Sequence, residues 1–201
     1  YHHIPETNLD LFADMSSDIF SRRIDYSKFS LIYAGAQKNI GAAGTTLVVI
    51  KKNMLDKICR EVPSMLSYKV HSDKDSMFNT PPVFSVYTCL LSLKWLENNG
   101  GIEEIEKKNN IKSQLLYDEI DRNSQFQGFA NLDDRSIMNV TFNLVDESNK
   151  EIFDKLAQES NISGINGHRS VGGYRASIYN AMPIESIQTL VEVMKKFENI
   201  V

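Results

Sequence analysis

Apolar positions recur along this chain with two different periods, and the switches between them mark its elements. Residues 9–14, LDLFAD, form a short apolar run closed by an acid and predict a buried strand. Residues 29–36, FSLIYAGA, predict a second strand and residues 45–52, TTLVVIKK, a third. The β-branched stretch between Thr45 and Ile50 is strand chemistry. The connection between the second and third strands is punctuated by glycine and too short for a crossover helix, so that pair is predicted antiparallel. Between the first and second, MSSDIFSRRID carries the serine and aspartate typical of turns.

The period then lengthens. NTPPVFSVYTCLLSLKWLENNGG predicts a helix with Thr80 as N-cap and Pro81 and Pro82 at its first positions. Val83, Val86, Tyr87, Leu90, Leu91 and the run from Leu93 to Leu96 make it strongly apolar, and Asn98-Asn99-Gly100-Gly101 stops it. IEEIEKKNNIKSQLLYDEID predicts a charged amphipathic helix with Ile102, Ile105, Ile111, Leu115 and Ile120 on one face. Further on, IMNVTFNL (137–144) alternates as a half-buried strand does. SNKEIFDKLAQES predicts a helix capped by Ser148, GINGHRSVGG a glycine-rich turn, YRASIYNA (174–181) a strand and PIESIQTLVEVMKKFENI a terminal helix. Strands alternating with helices predict an α/β fold in two layers, divided into domains at residues 1–101 and 102–201.

Composition narrows the function classes. The 201 residues are 42% hydrophobic and 24% charged, as in an ordinary globular protein. The net charge is −4 with no basic stripe, which argues against nucleic acid as a partner. There is no run of about 18 apolar residues for a membrane span, and no basic start with an apolar core as in a signal peptide. Cys59 and Cys89 stand alone, with no motif spacing. They fit two structural thiols in a reducing compartment, and a cytoplasmic location is expected. Tyr1 in place of a starting Met leads us to expect a fragment. His2-His3 reads as an exposed loop, with a tag remnant or a metal site as alternatives.

Three places carry candidate chemistry. Asp14 and Lys38 follow successive predicted strands, and ligands of open α/β sheets collect at the carboxyl ends of strands. Lys38 sits among small residues in YAGAQKNIGAAG. A lysine acting on a carbonyl forms a Schiff base, and an aspartate beside a pyridine nitrogen keeps it protonated. The plain alternative is a salt bridge between the two, or two unrelated surface charges. Next, NTPP offers a hydroxyl and backbone N–H groups suited to a phosphate at a helix start, or simple capping by Thr80. Last, GHRSVGGYR gathers His168, Arg169 and Arg175 around glycines. Arginines there suit carboxylate or phosphate, the alternative being a turn with solvated charges. Arg175 falls inside an apolar strand, where an unpaired guanidinium is costly.

ADMSSDIFSRRIDYSKFSLIYAGAQKNIGAAG, NTPPVFSVYTCLLSLKWL and GHRSVGGYRASIYNAMP together resemble the phosphoserine aminotransferases, in order and over nearly the whole chain. The resemblance implies the aspartate-aminotransferase fold, with the end of the large cofactor domain followed by the small C-terminal α/β domain. It implies pyridoxal 5'-phosphate as cofactor and a homodimer with shared active sites. The implied reaction passes an amino group between glutamate and 3-phosphohydroxypyruvate in serine biosynthesis, and in some relatives 4-phosphohydroxythreonine in pyridoxine synthesis. Lys38 matches the lysine that holds the cofactor, and its small neighbours, residues 34–36 and 41–44, match a close approach of backbone and cofactor. Asp14 matches the partner of the pyridine nitrogen and Gln37 a phosphate contact. Asn79 and Thr80 match the pair that reaches the cofactor phosphate of the neighbouring subunit. Arg175 matches the α-carboxylate contact, and His168 and Arg169 the contact with the substrate's distal phosphate or carboxylate. Ala42 departs from the family, which commonly has proline there, and the family's N-terminal part, with its phosphate loop and ring-stacking aromatic, has no counterpart here. Another transaminase for a small amino acid, or an inactive folding or interaction piece, are the competing readings.

Overall fold

Side-chain alternation across two short sheets organises the chain. The computed structural model describes residues 3–201, which form one unit on Ile4–Gly101 and another on Ile102–Val201. His2 lies outside the described residues, and among those described no group of His, Cys, Asp and Glu could hold a metal.

The first unit contains β1 (Phe12–Asp14), β2 (Leu31–Gly35), β3 (Thr46–Ile50), two short helices α1 (Lys52–Leu55) and α2 (Tyr68–Asp73), and α3 (Val83–Asn98). Its sheet runs β1-β2-β3, with β1 parallel to β2 and β3 antiparallel to it, as the short connection demands. The predicted strand over residues 9–14 shrinks to three residues, with Leu9 and Phe12 exposed, Ala13 buried and Leu11 partly buried against the core. β1 is the sheet edge, and only the stretch opposite residues 31–33 finds a ladder partner. Ala13, Met15, Ile19, Ile32, Ala34 and Ile40 form the core beneath.

α3 departs from expectation at its start and on its surface. Thr80 does not cap it; the helix begins at Val83, and the Asn79 amide donates to the Thr80 carbonyl at 3.0 Å. Each of the two prolines pushes its predecessor out of helical geometry, so the turn cannot close until both have passed. Its first backbone bond is Val86 to the Pro82 carbonyl. Of its many apolar residues only Cys89 and Leu96 are buried, together with Ser85, whereas Val83, Phe84, Val86, Tyr87, Leu90 and Leu91 are exposed.

The second unit contains α4 (Gly101–Arg122), β4 (Phe126–Gly128), β5 (Asn139–Leu144), α5 (Lys150–Glu159), β6 (Tyr174–Ser177) and α6 (Ile184–Glu198). Its sheet, β4-β5-β6, is wholly antiparallel. β4 is too short to announce itself in the sequence. β5 buries Val140, Phe142 and Leu144 in strict alternation. These meet Phe126, Phe153 and Phe197 in a mostly edge-to-face aromatic core with ring centroids 5.3–6.3 Å apart. The inward stripe of α4 runs through Ile105, Asn109, Lys112, Leu116 and Ile120, leaving Ile111 exposed. Ser148 is not the cap of α5; the Asp146 carboxylate accepts from the Ser148 amide and caps the short 3-10 turn before it.

Candidate active site

Asp14 ends β1, and Lys38 lies in the turn that follows β2. The two strands are parallel, so their carboxyl ends emerge on the same side of the sheet, with Asp14 in register with Tyr33. The Ser16 amide and hydroxyl both donate to Asp14 Oδ1, at 2.9 and 2.6 Å. The Gly35 amide donates to Ser16 Oγ at 3.0 Å, which ties the aspartate to the end of β2. These Ser16 bonds, helped by Tyr33 and more weakly by the charge of Lys38, hold the Asp14 carboxyl below its ordinary pKa against a smaller opposing effect of burial. Asn39 reaches across from the Lys38 turn and donates to the Ser17 and Ile19 carbonyls at 3.1 and 3.3 Å. The two turns are thus stapled together.

Lys38 and Gln37 are exposed, and among the described residues Lys38 makes no hydrogen bond or ion pair, with Asp14 or any other group. The amine is presented rather than neutralised. The small residues after it serve α3. A Cβ on Gly41 would lie 2.9 Å from both the Cys89 backbone N and its Sγ, and Gly44, at φ +107°, backs onto Ser85. Ser85 Oγ donates to the Ala43 carbonyl and the Ala42 amide donates to Thr88 Oγ1, at 2.7 and 3.1 Å. Glycine at 41 therefore lets the helix sit against the lysine turn. Asn79 and Thr80 lie exposed on the loop before α3, and Asn79 shares with Ala36, Ile40, Gly44 and Cys89 a recess of about 550 Å³ that Asp14 and Lys38 do not line.

His168, Arg169 and Arg175 belong to the second unit. Residues 165–167 pair with 173–175, through the Arg175 amide to the Ile165 carbonyl at 2.7 Å and the Gly167 amide to the Gly173 carbonyl at 2.8 Å. His168 and Arg169 lie on the tip of the resulting hairpin, where the His168 carbonyl accepts from the amides of Val171 and Gly172. Gly172 and Gly173 take left-handed φ of 80° and 62°, and no side chain fits at Gly167, whose Cβ would meet the Gly172 carbonyl. Both basic side chains of the tip are exposed. Arg175 is not buried in its strand. It projects from the outer face of β6, at the sheet edge, where its guanidinium stays hydrated. It lines a cavity of about 490 Å³ with Ser177, Ser186 and Thr189.

Two polar arrangements escaped the sequence reading. Ser16 had a signal, since a serine two residues after an aspartate is the signature of an Asx turn. Lys112 had none. It is 2% exposed and donates to the carbonyls of Ile178, Tyr179 and Met182 at 2.8–3.1 Å, while burial brings its pKa down to about 8. Beside it the Asn109 amide donates to Asn180 Oδ1 at 2.9 Å.

The whole chain superposes on a solved phosphoserine aminotransferase from a study of radiation damage to its Schiff base, with a TM-score of 0.95 and 47% identity, covering 56% of that chain. It also superposes on phosphoserine aminotransferase from Bacillus circulans subsp. alkalophilus, with a TM-score of 0.92 and 42% identity over 96% of this chain and 54% of that one. The α/β architecture is that of the aspartate-aminotransferase fold. Residues 2–190 match the model of the aminotransferase class-V family, and the chain belongs to that family. It is 60% identical over 195 residues to the phosphoserine aminotransferase of Flavobacterium psychrophilum, covering 97% of this chain and 55% of that protein. The chain thus spans about half the length of the curated relatives it matches.

Proposed function

We propose that the chain carries the lysine-bearing part of a phosphoserine transaminase, which moves an amino group between glutamate and 3-phosphohydroxypyruvate with pyridoxal phosphate. On this reading Ile4–Gly101 is the end of the cofactor domain and Ile102–Val201 the small domain. One observation carries the proposal. A carboxylate held ionised and an unpartnered primary amine stand at the carboxyl ends of adjacent parallel strands, Asp14 and Lys38. That donor set fits the cofactor, because a pyridine ring nitrogen needs an anion to stay protonated and an aldehyde carbon needs a free amine.

When bound, pyridoxal phosphate supplies the electron sink that makes the substrate Cα acidic. Lys38 would hold the group through its amine and would carry the proton at the substrate Cα. Asp14, fixed by Ser16, keeps the ring nitrogen protonated. Gln37 binds the cofactor phosphate, and Asn79 and Thr80 bind that of a second subunit, so the working form is a homodimer. Arg175 takes the α-carboxylate; His168 and Arg169 take the distal phosphate or carboxylate. Serine biosynthesis in the cytoplasm is the setting that follows. Among the described residues no helix is long and apolar enough to cross a membrane.

The test is Lys38→Ala in the complete gene product, with borohydride reduction of the wild type and mass spectrometry of its peptides. Transamination should vanish, and the reduced cofactor should map to Lys38. Retention of most activity, or the label on another lysine, would sink the reading.

A further inference from the structure

The hairpin that carries His168 and Arg169 is not held by its own backbone alone. At its neck four side chains meet. Lys150, in the first turn of α5, donates to Asp154 Oδ2 at 2.7 Å, to Asn166 Oδ1 at 3.2 Å and to the Tyr174 hydroxyl at 3.3 Å. The Tyr174 hydroxyl donates to Asp154 Oδ1 at 2.8 Å, and the ammonium sits 4.9 Å from the centre of the Tyr174 ring. Asn166 and Tyr174 are themselves bridge partners, one on each side of the neck. A single ammonium therefore grips both strands of the hairpin from one helix. The Tyr174 ring is 2% exposed and packs on Phe142 and Phe153, so the grip is anchored in the aromatic core. Two adjacent left-handed glycines alone would leave such a tip loose.

We propose that Lys150, Asp154 and Tyr174 are positioning residues for substrate binding: their network holds the hairpin neck, and so sets where the His168 and Arg169 side chains present their charge to the substrate's distal anionic group. The inference rests on the substrate role proposed above for that pair. Chemically, the arrangement converts a mobile cationic tip into a pre-ordered one, which lowers the ordering cost of binding a dianion. It works on affinity and leaves the proton transfer at Cα alone. Tyr174→Phe removes only the hydroxyl from the network while keeping the ring in the core, and Lys150→Met removes the shared donor while keeping the length of the chain.

The experiment uses the complete, cofactor-loaded enzyme. Backbone hydrogen exchange is followed by mass spectrometry over residues 166–174 and over β5 as internal reference. In both variants exchange at the hairpin should quicken by about tenfold while β5 keeps its wild-type protection. The KM for phosphoserine should rise about fivefold, with kcat within about twofold of wild type. Lys150→Arg, which retains a cation at the neck, should restore part of the affinity. Arg169→Ala is the reference. If it raises the KM for phosphoserine but the neck variants neither loosen the hairpin nor weaken binding, the positioning role is overturned. A loosened hairpin with unchanged KM overturns it as well. If Arg169→Ala itself leaves every substrate's KM untouched, the fault lies in the substrate role of the pair, and the positioning proposal falls with it.

Discussion

Asp14 owes its position to Ser16. Ser16 spends its amide and its hydroxyl on one carboxylate oxygen and receives the Gly35 amide in return. The carboxylate thus cannot swing away from the end of β1, and it stays ionised because both Ser16 bonds favour the charged form. If its task is to keep a ring nitrogen protonated, Asp14→Asn replaces the anion with an amide of the same shape. The expected result is a fall in kcat of roughly a hundredfold, near 2.7 kcal/mol in the barrier, with cofactor still bound as judged by absorbance. Turnover near the wild-type rate would remove the assignment. That Asp14 and Lys38 follow adjacent strands was legible from the residues around them. Arg175 was misjudged because an apolar run such as YRASIYNA does not tell which face of an edge strand looks outward.

At the scale of the element, α4 shows what sequence patterning leaves out. A periodic apolar stripe predicts its inner face well at Ile105 and Ile120, but the same face also buries Asn109 and Lys112. Those polar residues answer a need elsewhere, since the chain leaving β6 has carbonyls at 178, 179 and 182 that no ladder satisfies, and Lys112 supplies a donor for each. A long-range need of that kind has no local signature. Lys112→Met would take the donor from the Ile178 and Met182 carbonyls, the Tyr179 carbonyl still accepting from the Met182 amide, at a cost of roughly 2 kcal/mol, readable as a lower urea midpoint at pH 7. The sign of its pH dependence is fixed by the lowered pKa. From about 8 up to the ordinary lysine value the unfolded chain binds the extra proton, so the wild type gains on the variant as pH rises through that window. A gap that narrows there would contradict the burial of the amine.

Across the whole molecule three partnered carboxylates, Asp14, Glu119 and Asp121, share one bias. Asp121 is held low first by its hydrogen bond from Arg135, and Asp14 first by Ser16. Glu119 is pushed up by burial, but the hydrogen bonds from Arg122 and Asn123 outweigh it and its pKa ends low. Each contributes stability that is complete above the pKa of the unfolded chain and is lost as pH falls through the folded value. Stability should therefore be flat from about pH 7 to pH 5 and decline below about pH 4, with a shallower decline in Asp121→Asn, followed by circular dichroism in urea. A midpoint that climbed on acidification would contradict this. Most of the fold was also legible at this scale, from the antiparallel third strand to the aromatic alternation of β5. The outer face of α3 was not: the helix reads as strongly apolar, yet eight of its large apolar residues lie exposed, and periodicity reports that a face is apolar without reporting what covers it.

The contact between Gly41 and Cys89 turns the chain's two thiols into a clock. Cys59 is exposed and Cys89 is buried where α3 meets the lysine turn. A thiol reagent such as a disulfide dye should thus modify one cysteine at the rate of a free peptide. The second should follow only as often as α3 lifts from the turn, and its rate divided by the first reports the population of that opened state. Gly41→Ala, which wedges the helix outward, should speed the slow phase and leave the fast one alone. Equal rates at both cysteines in the unmodified chain would contradict the packing of α3 on the lysine turn.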